Sequence, residues 1–74
     1  MRKYLKELRE EKDLTQVELA EKLGMGQNSY SRIENGLRQE SIKLDLLTKL
    51  SQALDVDLEV LIQKEMEWKG EDDE

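Results

Sequence analysis

The chain has 74 residues and a formal net charge of −6 at pH 7, which is enough for one small domain. It contains neither cysteine nor histidine, so disulfides, thiolate metal sites and the commonest general base are excluded, and no cofactor or bound metal is expected. The acidic balance argues against nucleic acid, because a DNA-binding surface normally needs a basic footprint. No apolar segment could span a membrane or act as a signal peptide, so we expect a cytoplasmic protein without membrane contact.

Helical spacing of apolar residues predicts a first amphipathic helix that ends near Lys12. Its apolar stripe consists of Met1, Tyr4, Leu5 and Leu8. A capping box follows, in which the Thr15 hydroxyl accepts from the amide of Glu18 and the Glu18 carboxylate reaches back. This box predicts a second helix from about Gln16 to Gly24. The side chains expected to be buried are Val17, Leu19, Ala20 and Leu23.

Three further helices are predicted. Residues 24–26 indicate a tight turn, and a third helix from about Gln27 to Asn35 ends at Gly36, where a left-handed cap belongs. A polar loop then leads to a fourth helix, with apolar residues at Leu44, Leu47, Leu50 and Leu54. Asp57 is placed to cap a fifth helix, whose inward residues are Leu58, Leu61 and Ile62. Because no strand pattern or repeat occurs, the predicted fold class is all-α with five short helices.

The acidity is concentrated at the end of the chain. Residues 65–74 contain six acids and one lysine, a net charge of −5, which leaves residues 1–64 nearly neutral. We therefore predict a domain over residues 1–64 and an acidic C-terminal extension over 65–74 that is disordered from Gly70. Trp68 has two interpretations: it extends the fifth helix and packs at a dimer contact with Met66 and Ile62, or it lies in a frayed end. With this distribution, the charge no longer excludes DNA.

Residues 16–35 carry the functional signal. Two helices that cross at a steep angle after a three-residue turn need a small residue at the crossing, here Ala20, and a residue without a Cβ at the turn, here Gly24. The apolar seam between them consists of Leu19, Leu23, Met25, Tyr30 and Ile33. This is the helix-turn-helix arrangement, in which the second helix lies in the DNA major groove.

The segments LTQVELAEKLGMGQ (14–27) and SRIENG (31–36) resemble the phage repressor and Cro type of helix-turn-helix, the xenobiotic-response-element (XRE) family. The similarity extends from Leu5–Arg9 to Ala53–Leu58 and covers about residues 3–62. The resemblance implies a compact five-helix, lambda-repressor-like DNA-binding domain that works as a homodimer on a two-fold operator.

The resemblance also implies roles for particular residues. Those matching base-reading positions are Gln27, Asn28, Ser31 and Arg32. Those matching positions that meet the DNA backbone are Gln16, Asn35, Arg38 and Lys43. Arg9 and Glu34 match a structural ion pair between the first and third helices. The residue types agree with base reading, because Gln and Asn pair with adenine and Arg with guanine.

Three departures from the family pattern stand out. Gly26 occupies the usual Ser or Thr position before the third helix, which predicts a weaker cap. Tyr30 fills a slot usually taken by Val or Ile, and its hydroxyl is expected to need water or a protein partner. The loop over residues 37–43 is about two residues longer than the family pattern. The rival interpretation of the polar third helix is a solvated face, with Arg32 in a surface ion pair.

The function predicted is sequence-specific binding of double-stranded DNA by a small transcriptional regulator, a repressor. One alternative is the antitoxin of a toxin–antitoxin pair, whose acidic tail contacts the toxin. Another is a protein-interaction module that has lost DNA binding; the net charge supports it, while Gln16, Gln27 and Arg32 oppose it. An enzyme is disfavoured, because the sequence has no histidine, cysteine, phosphate-binding glycine loop or metal-ligand cluster.

Overall fold

A computed structural model describes residues 1–36 and 42–71 of the chain. Its helices are α1 (Lys3–Glu11), α2 (Gln16–Leu23), α3 (Gln27–Asn35), α4 (Leu44–Leu54) and α5 (Leu58–Glu71). No strand occurs in these two ranges, and the all-α five-helix fold is confirmed. α2 packs on both α3 and α4, α4 packs on α5, and α1 packs on α3.

The helix ends follow local rules that the sequence makes visible. At the start of α2, the Glu18 amide donates to the Thr15 hydroxyl at 3.1 Å and the Thr15 amide donates to the Glu18 carboxylate at 2.8 Å, which confirms the capping box. At its end, Gly24 has φ +74, and the amide of Met25 donates to the Ala20 carbonyl, as in a Schellman motif. Gly26 precedes α3 without a side-chain cap.

The core lies between α2, α4 and the inner faces of the other helices. Its buried members are Leu5, Leu19, Ala20, Leu23, Tyr30, Leu47, Leu50, Leu54 and Leu61. Tyr30 is buried, its hydroxyl lies beside the Glu34 carboxylate, and no contact within the described residues meets hydrogen-bond distance and angle for that hydroxyl. Burial of the large aromatic ring favours this position, and the expectation that the hydroxyl meets water or a protein partner stays a prediction.

Three apolar residues assigned to buried stripes are exposed. Val17 is 44% exposed, because at 3.6 residues per turn it lies about 160° around α2 from Leu19, at the margin of the buried stripe and beside only Ala20. Leu44 is 61% exposed in the first turn of α4. Met1 is exposed and precedes α1.

The predicted boundary after residue 64 falls inside α5, which continues to Glu71. Trp68 lies within α5 and not in a frayed end: its side chain is only 6% exposed within the single chain, and its indole Nε1 donates to the Met1 carbonyl at 2.8 Å. That partner is 67 positions away in sequence, so helical spacing could not reveal it. A dimer contact at this end of α5 stays a prediction. The acidic residues 72–74 lie outside the described residues.

Candidate nucleic-acid interface

α3 exposes a polar face that contains the side chains predicted to read bases. Gln27, Asn28 and Arg32 are exposed, and Ser31 is half-buried. The Asn35 amide, one turn after Ser31, donates a 3.4 Å hydrogen bond to the Ser31 hydroxyl. Because residues three and four apart share a helix face, these five side chains form one surface, here called the α3 polar face.

The inner side of α3 is anchored by the buried carboxylate of Glu34. Arg9 of α1 donates to it twice, from Nε at 3.0 Å and from Nη2 at 3.2 Å, which is the ion pair that the resemblance implied. The remaining Arg9 nitrogen, Nη1, donates to the Leu14 carbonyl at 2.8 Å. Gln16 of α2 donates to the same carboxylate at 3.1 Å. One side chain of α3 is therefore tied to both α1 and α2.

The charges of this cluster are held in their usual states. Burial alone would raise the pKa of the Glu34 carboxyl, but the hydrogen bonds donated to it, led by Arg9, leave that pKa below its usual 4.5. The hydrogen bond to Glu34 likewise raises the pKa of Arg9. Burial, with a contribution from the nearby Glu34 carboxylate, raises the pKa of Tyr30. None of these groups titrates near neutral pH, so the cluster is suited to holding helices together rather than to proton transfer.

An open concavity lies between the start of α2 and one edge of the α3 polar face. Gln27, Gln16, Thr15 and Val17 are among the residues that line it. The capping box occupies the Glu18 amide, whereas the amides of Gln16 and Val17 have no acceptor within the helix. Amides at a helix N-terminus attract anions. Glu10 and Asp13 also line the concavity, so the attraction of this edge for a phosphate comes from the first amides of α2.

A groove of about 460 Å³ runs along the other edge of the α3 polar face, between α3 and α4. Arg32 and Ser29 line it from α3, and Lys43, Asp45 and Lys49 line it from the α4 side. Its apolar lining consists of Met25, Ile33, Ile42 and Leu46. Three exposed cations face one carboxylate here, so the groove is locally basic in a chain of net charge −6.

Lys49 is the groove residue that sequence reasoning missed, because a lysine on an exposed helix face is ordinarily a solvated charge. The sequence feature that could identify Lys49 is its spacing of three residues from Leu46, which places it at the margin of the apolar stripe of α4. Lys43 is exposed at the N-cap of α4. Arg38 lies outside the described residues, so its contact with the DNA backbone stays a prediction.

The comparisons with known proteins agree with a helix-turn-helix fold. A family model described as helix-turn-helix matches residues 5–61, and the chain belongs to that family. A relative from Bacillus subtilis (strain 168), named "Uncharacterized HTH-type transcriptional regulator YqaE", is 39% identical over 70 residues. The alignment covers 95% of this chain and 59% of the relative, so the chain spans well under two thirds of that protein's length. No solved structure matches the chain.

None of the helices within residues 1–36 and 42–71 combines the length and apolar composition needed to cross a membrane. Over the same ranges no group of three or more acidic side chains is arranged to hold a metal ion.

Proposed function

We propose that this chain is a sequence-specific, double-stranded DNA-binding transcriptional regulator that inserts α3 into the major groove. The observation that carries the proposal is the division of α3 into two sides. Its inner side is fixed to α1 and α2 through Glu34, while its outer side presents the exposed α3 polar face. A rigidly held helix with an outward row of amide and guanidinium groups suits recognition of base edges.

Base reading is assigned to Gln27, Asn28, Ser31 and Arg32. The Gln and Asn amides can make paired hydrogen bonds to adenine, and Arg32 can do so to guanine, each good pair contributing about 1–3 kcal/mol of discrimination. Ser31 can pair with several base edges, although it also accepts a bond from Asn35. The polar residues are thus spaced along one face, as reading of successive base pairs requires.

The two edges of α3 are assigned to the two phosphate backbones that border the major groove. On one edge, Gln16 and the first amides of α2 meet a phosphate, by the anion affinity of a helix N-terminus. On the other, Lys43 and Lys49 line the basic groove and face the second strand. Asn35 and Arg38 complete the backbone contacts. The acidity of the chain does not oppose this placement, because residues 65–74 hold most of it.

We further propose that the chain acts as a homodimer on a two-fold-symmetric operator and represses transcription there. One α3 reads only a few base pairs, and two copies on half-sites multiply the discrimination. A repressor needs no activating surface, because its binding to the operator is enough to repress transcription. The name of the Bacillus subtilis relative, an HTH-type transcriptional regulator, supports a regulatory role.

Selection of bound duplexes from a random DNA pool tests the proposal. The expected result is an enriched sequence with two inverted half-sites whose centres lie about 10 bp apart. Enrichment of a single half-site would contradict the homodimer but would still support sequence-specific DNA binding. Failure to enrich any sequence at low salt would reject DNA reading and favour a protein-interaction module.

A further inference from the structure

Arg2 holds the C-terminal end of α3 from outside the helix. Its backbone amide donates to the Glu34 carbonyl at 2.7 Å, and its Nη1 donates to the carbonyl of Ile33. The last carbonyls of a helix lack an amide donor within it and carry its negative dipole end; the Ile33 carbonyl here also accepts from the capping Gly36 amide at 3.2 Å. A buried guanidinium is therefore placed where it stabilises the end of the proposed recognition helix.

The Arg2 guanidinium also contacts two residues of α5. Its Nε and Nη2 donate to the two carboxylate oxygens of Glu65 at 2.9 and 3.0 Å, and its Cζ lies 4.2 Å from the ring centroid of Trp68. Tyr4 donates a further 2.6 Å hydrogen bond to Glu65. Arg2, Glu65 and Trp68 are all buried; we call these three residues the Arg2 clasp.

Trp68 also contacts the terminator of α3 directly. Gly36 has φ +66, and a Cβ built on it would lie only 2.6 Å from Cζ2 of Trp68. The indole ring is itself fixed by the bond from Nε1 to the Met1 carbonyl. The end of α3 is consequently enclosed between the first two residues of the chain and the second half of α5.

We propose that the Arg2 clasp positions the C-terminal half of α3 for DNA reading, so that Glu65 and Trp68 act on base recognition through Arg2 without touching DNA. This inference rests on the proposed function. Arg32 and Asn35 flank the two carbonyls that Arg2 holds, so release of that helix end displaces both side chains. Recognition groups need to be held within about 0.5 Å of their productive positions.

The first test needs no DNA and uses Glu65→Gln, with Glu67→Gln as the matched control. Both remove one negative charge from α5, but Glu67 is exposed and accepts only from Gln63 among the bonds observed. Hydrogen exchange is followed at the Trp68 indole, unique in this chain, and at amides in the last turn of α3. Glu65→Gln is expected to accelerate exchange at the indole and at the α3 amides about tenfold, relative to exchange at the buried Leu50 amide of α4. A tenfold change corresponds to the loss of about one charged hydrogen bond.

The second test measures the ratio of affinities for a selected site and a scrambled duplex at one salt concentration. Glu65→Gln is expected to lower this ratio about tenfold, the equivalent of one base contact, whereas Glu67→Gln leaves it unchanged. Trp68→Phe, which keeps an aromatic ring but removes the indole donor, should lower the ratio by a smaller factor. It also provides a milder variant should Glu65→Gln fold poorly.

The outcomes separate the clasp from the proposed function. A wild-type chain that prefers no DNA sequence rejects the proposed function, and the reading role of the clasp with it. If the wild-type chain discriminates between DNA sequences but Glu65→Gln and Glu67→Gln give the same affinity ratio, only the positioning role is overturned. Uniform acceleration of exchange in α3 and α4 would also overturn it, because the clasp would then contribute only global stability.

Discussion

Gln16, the first residue of α2, donates a 3.1 Å hydrogen bond to Glu34 in the last turn of α3. Glu34 is 1% exposed, so the two helices of the motif are joined through one buried carboxylate. Arg9 neutralises that carboxylate from α1. The geometry explains how a polar residue at the surface end of α2 can influence the orientation of α3.

Replacing one residue of the Arg9–Glu34 pair should lower the free energy of unfolding more than replacing both residues does. Arg9→Met leaves a buried carboxylate without its cation and should reduce the free energy of unfolding by about 3–5 kcal/mol. The double replacement Arg9→Met, Glu34→Leu should be closer to wild type than Arg9→Met alone, because no charge remains buried. Urea unfolding followed by circular dichroism measures the cycle. Additive losses would show that the pair is not coupled.

Stability should fall in acid because of Glu34 and Glu65. For both carboxyls burial acts to raise the pKa, yet the hydrogen bonds donated by Arg9 to Glu34 and by Arg2 to Glu65 leave it below the usual 4.5. A pKa lowered on folding adds stability that is present above the unfolded value and is lost as the pH falls through the folded value. The free energy of unfolding should therefore decline below pH 4.5.

Urea unfolding from neutral pH to about pH 3 measures that decline. Glu65→Gln should be less stable at neutral pH and should show a shallower decline, since one of the two responsible carboxyls is gone. Glu67→Gln should follow the wild-type profile. A Glu65→Gln profile parallel to wild type throughout would assign the acid sensitivity elsewhere.

Gly36 should tolerate alanine less well than Gly24 does. Both have positive φ, but a Cβ at Gly24 meets nothing within 4 Å, whereas one at Gly36 would lie 2.6 Å from the Trp68 ring. Gly24→Ala should cost about 1–2 kcal/mol, the penalty of the left-handed conformation alone. Gly36→Ala should cost more, and Trp68→Leu should reduce the excess by removing the ring. Equal costs for the two glycines in thermal unfolding would contradict the observed packing.

Lys49 should contribute to DNA binding without regard to sequence. Lys49→Ala should weaken binding to all duplexes and reduce the slope of log K against log salt by about 0.9, as expected for one lost phosphate contact. Lys64, which lies on α5 outside the α3–α4 groove, supplies the control Lys64→Ala. Identical slopes for Lys49→Ala, Lys64→Ala and wild type would remove Lys49 from the interface.

The sequence predicts the helix-turn-helix well because its signals are local. The Thr15–Glu18 capping box, the turn glycine Gly24 and the terminator Gly36 each act within a few residues, and the structure contains all three where expected. Val17 was misplaced for a different reason: apolar character near a helix start does not determine whether the residue lies on the buried stripe.

The contacts that sequence could not predict are those between the two ends of the chain. Arg2 and Glu65 are 63 positions apart, and no sequence pattern predicts a contact between them. The acidic residues from position 65 onward predict only a C-terminal extension. Burial of both charged groups beside Trp68 depends on how α1 and α5 pack around the end of α3, which no local periodicity encodes.

Arg32→Ala provides the most direct test of base reading by α3. Binding of this variant to the selected operator and to operators with each base pair changed should show a loss of about 1–3 kcal/mol and relaxed preference at one position per half-site. Lys49→Ala, in contrast, should keep every preference while binding more weakly. An Arg32→Ala variant that loses affinity equally for all sequences would contradict the assignment of α3 as the helix that reads DNA.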